Sequence, residues 1–202
     1  MSDRAAETAL WDRRYADEGF FHGTEPNAFL AEHAARLAGP VLSLAEGEGR
    51  NAVFLAARGL DVLAVDFSRV GLAKAERLAV ERGVRIRTQL ADLADFEPEP
   101  GCYGGVISIC AHLPSRVRRQ LNPRIERALR PGGVLLLESY SQQQCGRGGP
   151  PDPDTLPSAA MLRAEWPGLE IELLREIERP ACERPGHASM GAMVQLIARK
   201  PA

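Results

Sequence analysis

Between Pro40 and Tyr140, short apolar runs alternate with stretches of helical character, and this alternation restricts the fold more than any other property of the chain. The runs fall at 41–44, 61–66, about 84–91, 105–109 and 134–140. A helix is expected at about 51–58, stopped by Gly59. A second should run from an N-capping Ser68 to about 82, stopped by Gly83. An arginine-rich helix follows the fourth run. Its apolar positions Val117, Leu121, Ile125 and Leu129 recur every four residues, which predicts an amphipathic helix with a solvated basic face. Pro123 should kink or restart it, and Pro131-Gly132-Gly133 turns the chain into the fifth run. Strands joined through helices pair in parallel, and right-handed crossovers put helices on both faces of the sheet. Residues 142–158 hold seven of the chain's glycines and prolines and read as a long loop. Two last runs, 169–178 and 191–198, are joined by a polar turn through Pro185-Gly186 and read as an antiparallel pair. The expectation is an α/β fold with a doubly wound, seven-stranded sheet, mostly parallel with an antiparallel C-terminal strand.

Composition narrows the function classes. A chain of 202 residues fits one domain, and a formal charge of −2 counts against broad neutralisation of nucleic-acid phosphates. The start, Met1-Ser2-Asp3-Arg4, is polar, and no apolar run approaches the roughly 20 residues a membrane span needs. Cys102, Cys110, Cys145 and Cys182 are scattered, as free thiols in a reducing compartment would be, so a cytoplasmic protein is expected. Cys110-Ala111-His112 and the Cys182/His187 pair lack zinc-site spacing, and no metal is expected.

Chemistry concentrates after the first run, in Ala45-Glu46-Gly47-Glu48-Gly49-Arg50-Asn51. A strand, a glycine turn and a helix N-terminus in that order bring main-chain N–H groups close to a ligand. The second run ends in Asp66-Phe67-Ser68, where a carboxylate can accept from ribose hydroxyls and an aromatic ring can pack on adenine. The third ends in Ala91-Asp92-Leu93, placing a second carboxylate at the same sheet edge, within reach of an adenine amino group. Two acidic strand ends after one glycine turn form a nucleoside-shaped constellation.

These residues resemble the class I S-adenosylmethionine-dependent methyltransferases, and within them the small bacterial branch that includes tellurite-resistance-type enzymes. The resemblance is carried by Trp11-Asp12-Arg13-Arg14-Tyr15, Glu25-Pro26-Asn27, Gly47-Glu48-Gly49-Arg50-Asn51, Val65-Asp66-Phe67-Ser68, Ala91-Asp92-Leu93, His112-Leu113-Pro114 and Leu129-Arg130-Pro131-Gly132-Gly133. It implies a Rossmann-like fold with S-adenosylmethionine as cofactor. Residues 1–39 would form a helical lid, 40–140 the cofactor-binding core, and 141–202 a loop and the C-terminal strands. By the same resemblance Gly47 and Gly49, with Ala45 and Asn51 in the same turn, flank the methionine part of the cofactor. Asp66 holds the ribose, Asp92 and Leu93 hold the adenine, and backbone around Ile109 and Cys110 faces the sulfonium. The chain departs from the family pattern at Ser43, where an acidic residue is usual, at Ala45, where a glycine is usual, and at Gly104, where an Asp is common. Glu46 or Glu48 could compensate for the charge missing at Ser43.

Methyl transfer from a sulfonium needs alignment and exclusion of water, and a base only where the acceptor keeps a proton. His112, just past the fourth run, is the candidate base or orienting group. Tyr15, one helical turn from Trp11, is the candidate catalytic residue on the lid. Phe20, Phe21, His22, Glu138, Tyr140 and His187 complete the candidate acceptor wall. The expected partner is a small-molecule acceptor, with no nucleic acid and no membrane. The G-x-G-x-x-A spacing of residues 47–52 also fits a nicotinamide-dependent oxidoreductase, and Ser43 with Ala45 fits a nucleoside-binding module without catalysis.

Overall fold

The computed structural model describes residues 3–184 and 187–202, with side chains described for 5–180 and 190–202. The Pro185-Gly186 turn and the side chains of Cys182 and His187 therefore lie outside the described residues.

Seven strands form one sheet in the order β3-β2-β1-β4-β5-β7-β6. They are β1 (Val41–Leu44), β2 (Val62–Asp66), β3 (Arg87–Leu90), β4 (Tyr103–Ile109), β5 (Leu129–Tyr140), β6 (Glu170–Arg184) and β7 (His187–Arg199). The first five pair in parallel, and β7 runs antiparallel between β5 and β6. Helices α1 (Asp3–Tyr15), α2 (Ala28–His33), α3 (Arg50–Ala57), α4 (Arg69–Glu81), α5 (Ser115–Ala128) and α6 (Ala159–Glu165) complete the chain. The expected mixed sheet is the observed one.

Burial follows the two-residue period of the strands. Leu42, Leu44, Val65, Val106, Leu135 and Leu137 share one cluster with Leu121 and Ile125 of α5 and Leu162 of α6. Val41, Ala64, Ile107 and Leu136 share another with Phe29 and Leu30 of α2 and Leu55 of α3. Each fully buried leucine or isoleucine in these layers is worth about 1.5–3 kcal/mol relative to exposure.

Several expectations need correction. The third strand covers four residues and lies largely exposed at the sheet edge, because Val84 is spent closing the end of α4 through its N–H to Ala79 O at 2.9 Å. α5 runs unbroken through Pro123. The carbonyl that proline leaves without a helical partner belongs to Arg119 on the exposed face, where water can satisfy it. The basic face of α5 is only partly solvated, since Arg118 is buried. β5 starts at Leu129, and Pro131-Gly132-Gly133 forms an irregularity within it. Residues 142–158 hold two 3-10 turns, Gln142–Gln144 and Pro153–Thr155, and end in a capping Ser158 that starts the unanticipated α6.

Candidate active site

The ends of β1, β2 and β4 meet at one edge of the sheet. Gly47 and Gly49 sit there in left-handed backbone, at φ +63° and +94°. A Cβ on Gly49 would lie 2.6 Å from Ala75 Cα, so the turn can press on α4 only with glycine present. Among the described residues three non-glycines share the left-handed region, and all are at this edge: Ala45 (φ 50°), Cys110 (φ 55°) and His112 (φ 46°). Strain of that kind costs on the order of 1–3 kcal/mol per residue and gathers at functional sites.

Asp66 lies between the glycine turn and α4 and is buried. One carboxylate oxygen accepts the Gly47 N–H at 2.8 Å and the other the Ser68 N–H at 2.7 Å. Burial pushes its pKa above the usual carboxylate value, against those hydrogen bonds. The Phe67 N–H also reaches the carboxylate, and the lone-pair capacity that remains can accept from a hydroxyl. Ser68 caps α4 by accepting from Gly71 N at 3.0 Å, and its hydroxyl donates to Asp12 of α1 at 2.5 Å. Phe67 and Asp92 are half-buried and Leu93 is buried beneath them. One Asp92 oxygen accepts from Ala94 N at 2.8 Å. Burial and then the Asp92 carboxylate raise the pKa of Glu7 on α1.

Glu46 takes a role that sequence spacing did not assign. One oxygen accepts from Asn51 N at 3.0 Å and Ala52 N at 2.9 Å, and the other accepts from the Ser43 hydroxyl. The N-terminus of α3, expected to favour an external negative charge, is thus already occupied by an internal one. Glu48 is likewise committed, to Lys74 as a buried ion pair and to Phe21 N at 2.7 Å. Neither acid stands free to replace the charge missing at Ser43.

The N-terminal segment closes over this edge. Tyr15 is buried, and its hydroxyl would lie 2.7 Å from a Cβ on Gly47. Burial first, then the carboxylates of Asp66, Glu48 and Glu46, push its pKa far above the usual phenol value, so it remains protonated. Lys74 donates to the main-chain carbonyls of Tyr15 (3.2 Å), Asp17 (2.9 Å) and Gly19. Trp11 packs on Tyr15 and His22, with ring centroids 5.4 and 6.2 Å apart.

His112 stacks on Tyr140 at 5.4 Å, with Nδ1 3.3 Å from Ser139 Oγ. Burial, and after it His22, lowers its pKa to about 4, so the imidazole is neutral at pH 7. Glu138 does not join the acceptor wall. It is fully buried and receives hydrogen bonds from Asn27 Nδ2 (2.7 Å), Arg179 Nε (2.9 Å) and Gln195 Nε2. Cys110 N donates to the Glu138 carbonyl at 2.7 Å, which ties the strained end of β4 to β5. The structure thus brings Ala45, Gly47, Gly49, Asn51, Asp66, Phe67, Ser68, Ala91, Asp92, Leu93, Ile109 and Cys110 to one sheet edge, with Tyr15 and His112 bordering it. The Asn27–Glu138 and Lys74–Glu48 contacts went unread, although a lysine among the buried positions of α4 was a visible anomaly.

Comparison with known proteins gives three results. A family described as a methyltransferase domain matches residues 41–133, from β1 through the Pro131-Gly132-Gly133 irregularity. The chain is 31% identical over 157 residues to a glycine/sarcosine N-methyltransferase of Halorhodospira halochloris, covering 68% of this chain and 56% of that protein. The chain thus spans little more than half the length of that relative. Among solved structures, one described as "Conversion of a Disulfide Bond into a Thioacetal Group during Echinomycin Biosynthesis" is similar at TM-score 0.74 and 25% identity, covering 96% of this chain and 92% of that one. The N-methyltransferase NodS of Bradyrhizobium japonicum WM9, solved with S-adenosyl-l-homocysteine, shares the fold at TM-score 0.72 and 14% identity, covering 96% and 98%.

Proposed function

We propose that the chain is a class I S-adenosylmethionine-dependent methyltransferase that transfers a methyl group to a small-molecule acceptor, a reading supported by the methyltransferase-domain match over residues 41–133 and the similarity to an N-methyltransferase. The observation that carries this reading is Asp66, a buried carboxylate at the glycine turn, pinned by main-chain N–H groups and with acceptor capacity left for a hydroxyl. Its acceptor chemistry fits a ribose. When bound, S-adenosylmethionine supplies a methyl carbon on a positively charged sulfur, open to in-line displacement by an acceptor lone pair.

The chain's own residues bind, orient and exclude. Gly47 and Gly49 let the backbone approach the methionine part, and Ile109 with the left-handed Cys110 presents backbone beside it. Asp92 and Leu93 take the adenine, with Phe67 against its face. Asn51, whose side chain accepts from Asn27 N at 3.0 Å, links the turn to the segment leading into α2. α1 and Tyr15 act as a lid that keeps water out. Tyr15 is a positioning group and hydroxyl donor, since its raised pKa rules it out as a base. His112 is neutral, and with its pKa lowered to about 4 it serves as an orienting hydrogen-bond partner for the acceptor. A small acceptor is supported by the pocket's closure under α1, and by the similarity to an enzyme named for glycine and sarcosine.

Calorimetric titration with S-adenosylhomocysteine, with NAD as control, tests the reading. Saturable adenosyl binding that disappears in Asp66→Ala is expected. A preference for NAD, or adenosyl binding that ignores the substitution, would overturn it.

A further inference from the structure

A cavity of about 30 Å³ lies between the ends of β4 and β5 and helices α5 and α6. Leu44, Leu135, Leu137 and Leu162 wall it, and His112 and Ser139 border it on the side of the carboxyl edge. Arg118 of α5 and Trp166, just past α6, line it too, and they are 5% and 3% exposed. The Arg118 guanidinium is held on three of its N–H groups. Nε reaches the two Glu165 oxygens at 3.1 and 3.0 Å, and Nη1 reaches Leu113 O at 2.6 Å and Asp154 O at 2.9 Å. Its Nη2 is buried with no protein acceptor, and Trp166 Nε1 is in the same condition.

Buried donors are nearly always satisfied, because leaving one bare costs about 1–3 kcal/mol. Two such donors on residues lining one leucine-walled cavity ask for a partner that accepts from both. A water molecule can accept from both, and its own O–H groups must then find the few polar side chains among the leucines, Ser108, Asn122, Ser139, Thr155 and His112. A group that only accepts leaves nothing unpaired. The volume suits roughly two waters or one carboxylate. The low-dielectric walls strengthen a charge-assisted bond from Arg118. Glu165 already fixes the plane of the guanidinium, so the site is built before a ligand arrives.

We propose that this cavity anchors the carboxylate of a small anionic methyl acceptor, held by Arg118 Nη2 and Trp166 Nε1. The acceptor's reactive end then lies toward His112 and the cofactor edge. The anchor stands on the cavity itself, while its assignment to the acceptor rests on the methyltransferase reading.

The test uses formate as probe, titrated by calorimetry into the cofactor-free protein at ionic strength fixed by a bulky sulfonate. Saturable binding is expected. Trp166→Phe, which keeps a ring but removes the donor, should weaken it at least tenfold while leaving S-adenosylhomocysteine binding unchanged. Arg118→Lys, which keeps the charge but loses Nη2, should weaken it as much and serves if the first variant does not fold. Formate heats no larger than those of the sulfonate, or affinity indifferent to both substitutions, would mean an ordered water only and would overturn the anchor. If S-adenosylhomocysteine binds and formate does not, the anchor fails alone. If formate binds and S-adenosylhomocysteine does not, the anchor survives and the methyltransferase reading falls.

Discussion

Glu46 shows how one residue can exchange roles with a neighbour. Ser43 stands where the family resemblance leads one to expect an acid, and its hydroxyl donates to the Glu46 carboxylate, which in turn caps α3. Glu46→Ala should strand two buried N–H donors and cost about 2 kcal/mol, a Tm drop of roughly 4–8 °C for a domain of this size. Glu46→Gln keeps the accepting oxygen and should lose far less, which thermal melts of both variants would show. Burial also raises the Glu46 pKa from 4.5. Its contribution is therefore fully present below pH 4.5 and shrinks as pH rises through the higher folded value, and Glu46→Gln should flatten that part of the stability profile. His112 has the opposite sign, because burial lowers its pKa from 6.5 to about 4. Between those values the unfolded chain takes up a proton that the folded imidazole refuses, so stability is lost as pH falls through this window. His112→Gln should lessen the acid-side fall of Tm from pH 6.5 downward. If His112 orients the acceptor, the same substitution should also lower kcat by about 100-fold through misplacement.

At the scale of elements, the fastening of the N-terminal segment to α4 decides whether α1 can act as a lid. Lys74 gathers three carbonyls from residues 15–19 and the Glu48 carboxylate, Arg77 adds Glu18 O at 3.0 Å, and Asp12 holds the Ser68 hydroxyl. Lys74→Ala removes the partner of a buried carboxylate, which costs about 3–5 kcal/mol. Hydrogen exchange should quicken first across residues 5–25, with the amides of β1, β4 and β5 still protected; uniform loss of protection would refute a separable lid. Most elements were legible because their signals are local: a capping Ser68, Gly59 and Gly83 as stops, apolar runs of strand length. The strand ends bearing Asp66 and Asp92 were legible for the same reason. What escaped was the pairing of polar side chains across long stretches of chain. Arg118 looked like one more exposed arginine until Glu165, 47 residues away, was packed beside it. Glu138 looked like a pocket acid until Asn27, 111 residues away, was found donating to it. α6 escaped because seven residues give too little periodicity to separate from the loop before it.

For the whole molecule, the sheet divides chemical labour. β1 to β3 lead into the glycine turn and the acids Asp66 and Asp92, while the ends of β4 and β5, with α5 and α6, frame His112 and the leucine-walled cavity. On the proposed reading the cofactor and the acceptor would meet at β4, the strand that shares a border with both halves. This separation predicts independent effects: Trp166→Phe combined with Asp66→Ala should show additive losses in formate and S-adenosylhomocysteine binding, each ligand responding to its own substitution. The order of strands has a further consequence, for synthesis. β7 follows β6 in the chain, yet it lies between β5 and β6, so this edge of β5, with buried Val134, Leu135 and Leu136, lacks its β7 neighbour until residues 187–199 have left the ribosome. A nascent chain stalled near residue 180 would carry its whole nucleoside half folded beside a bare apolar edge. That is the form in which a chaperone would have most to hold.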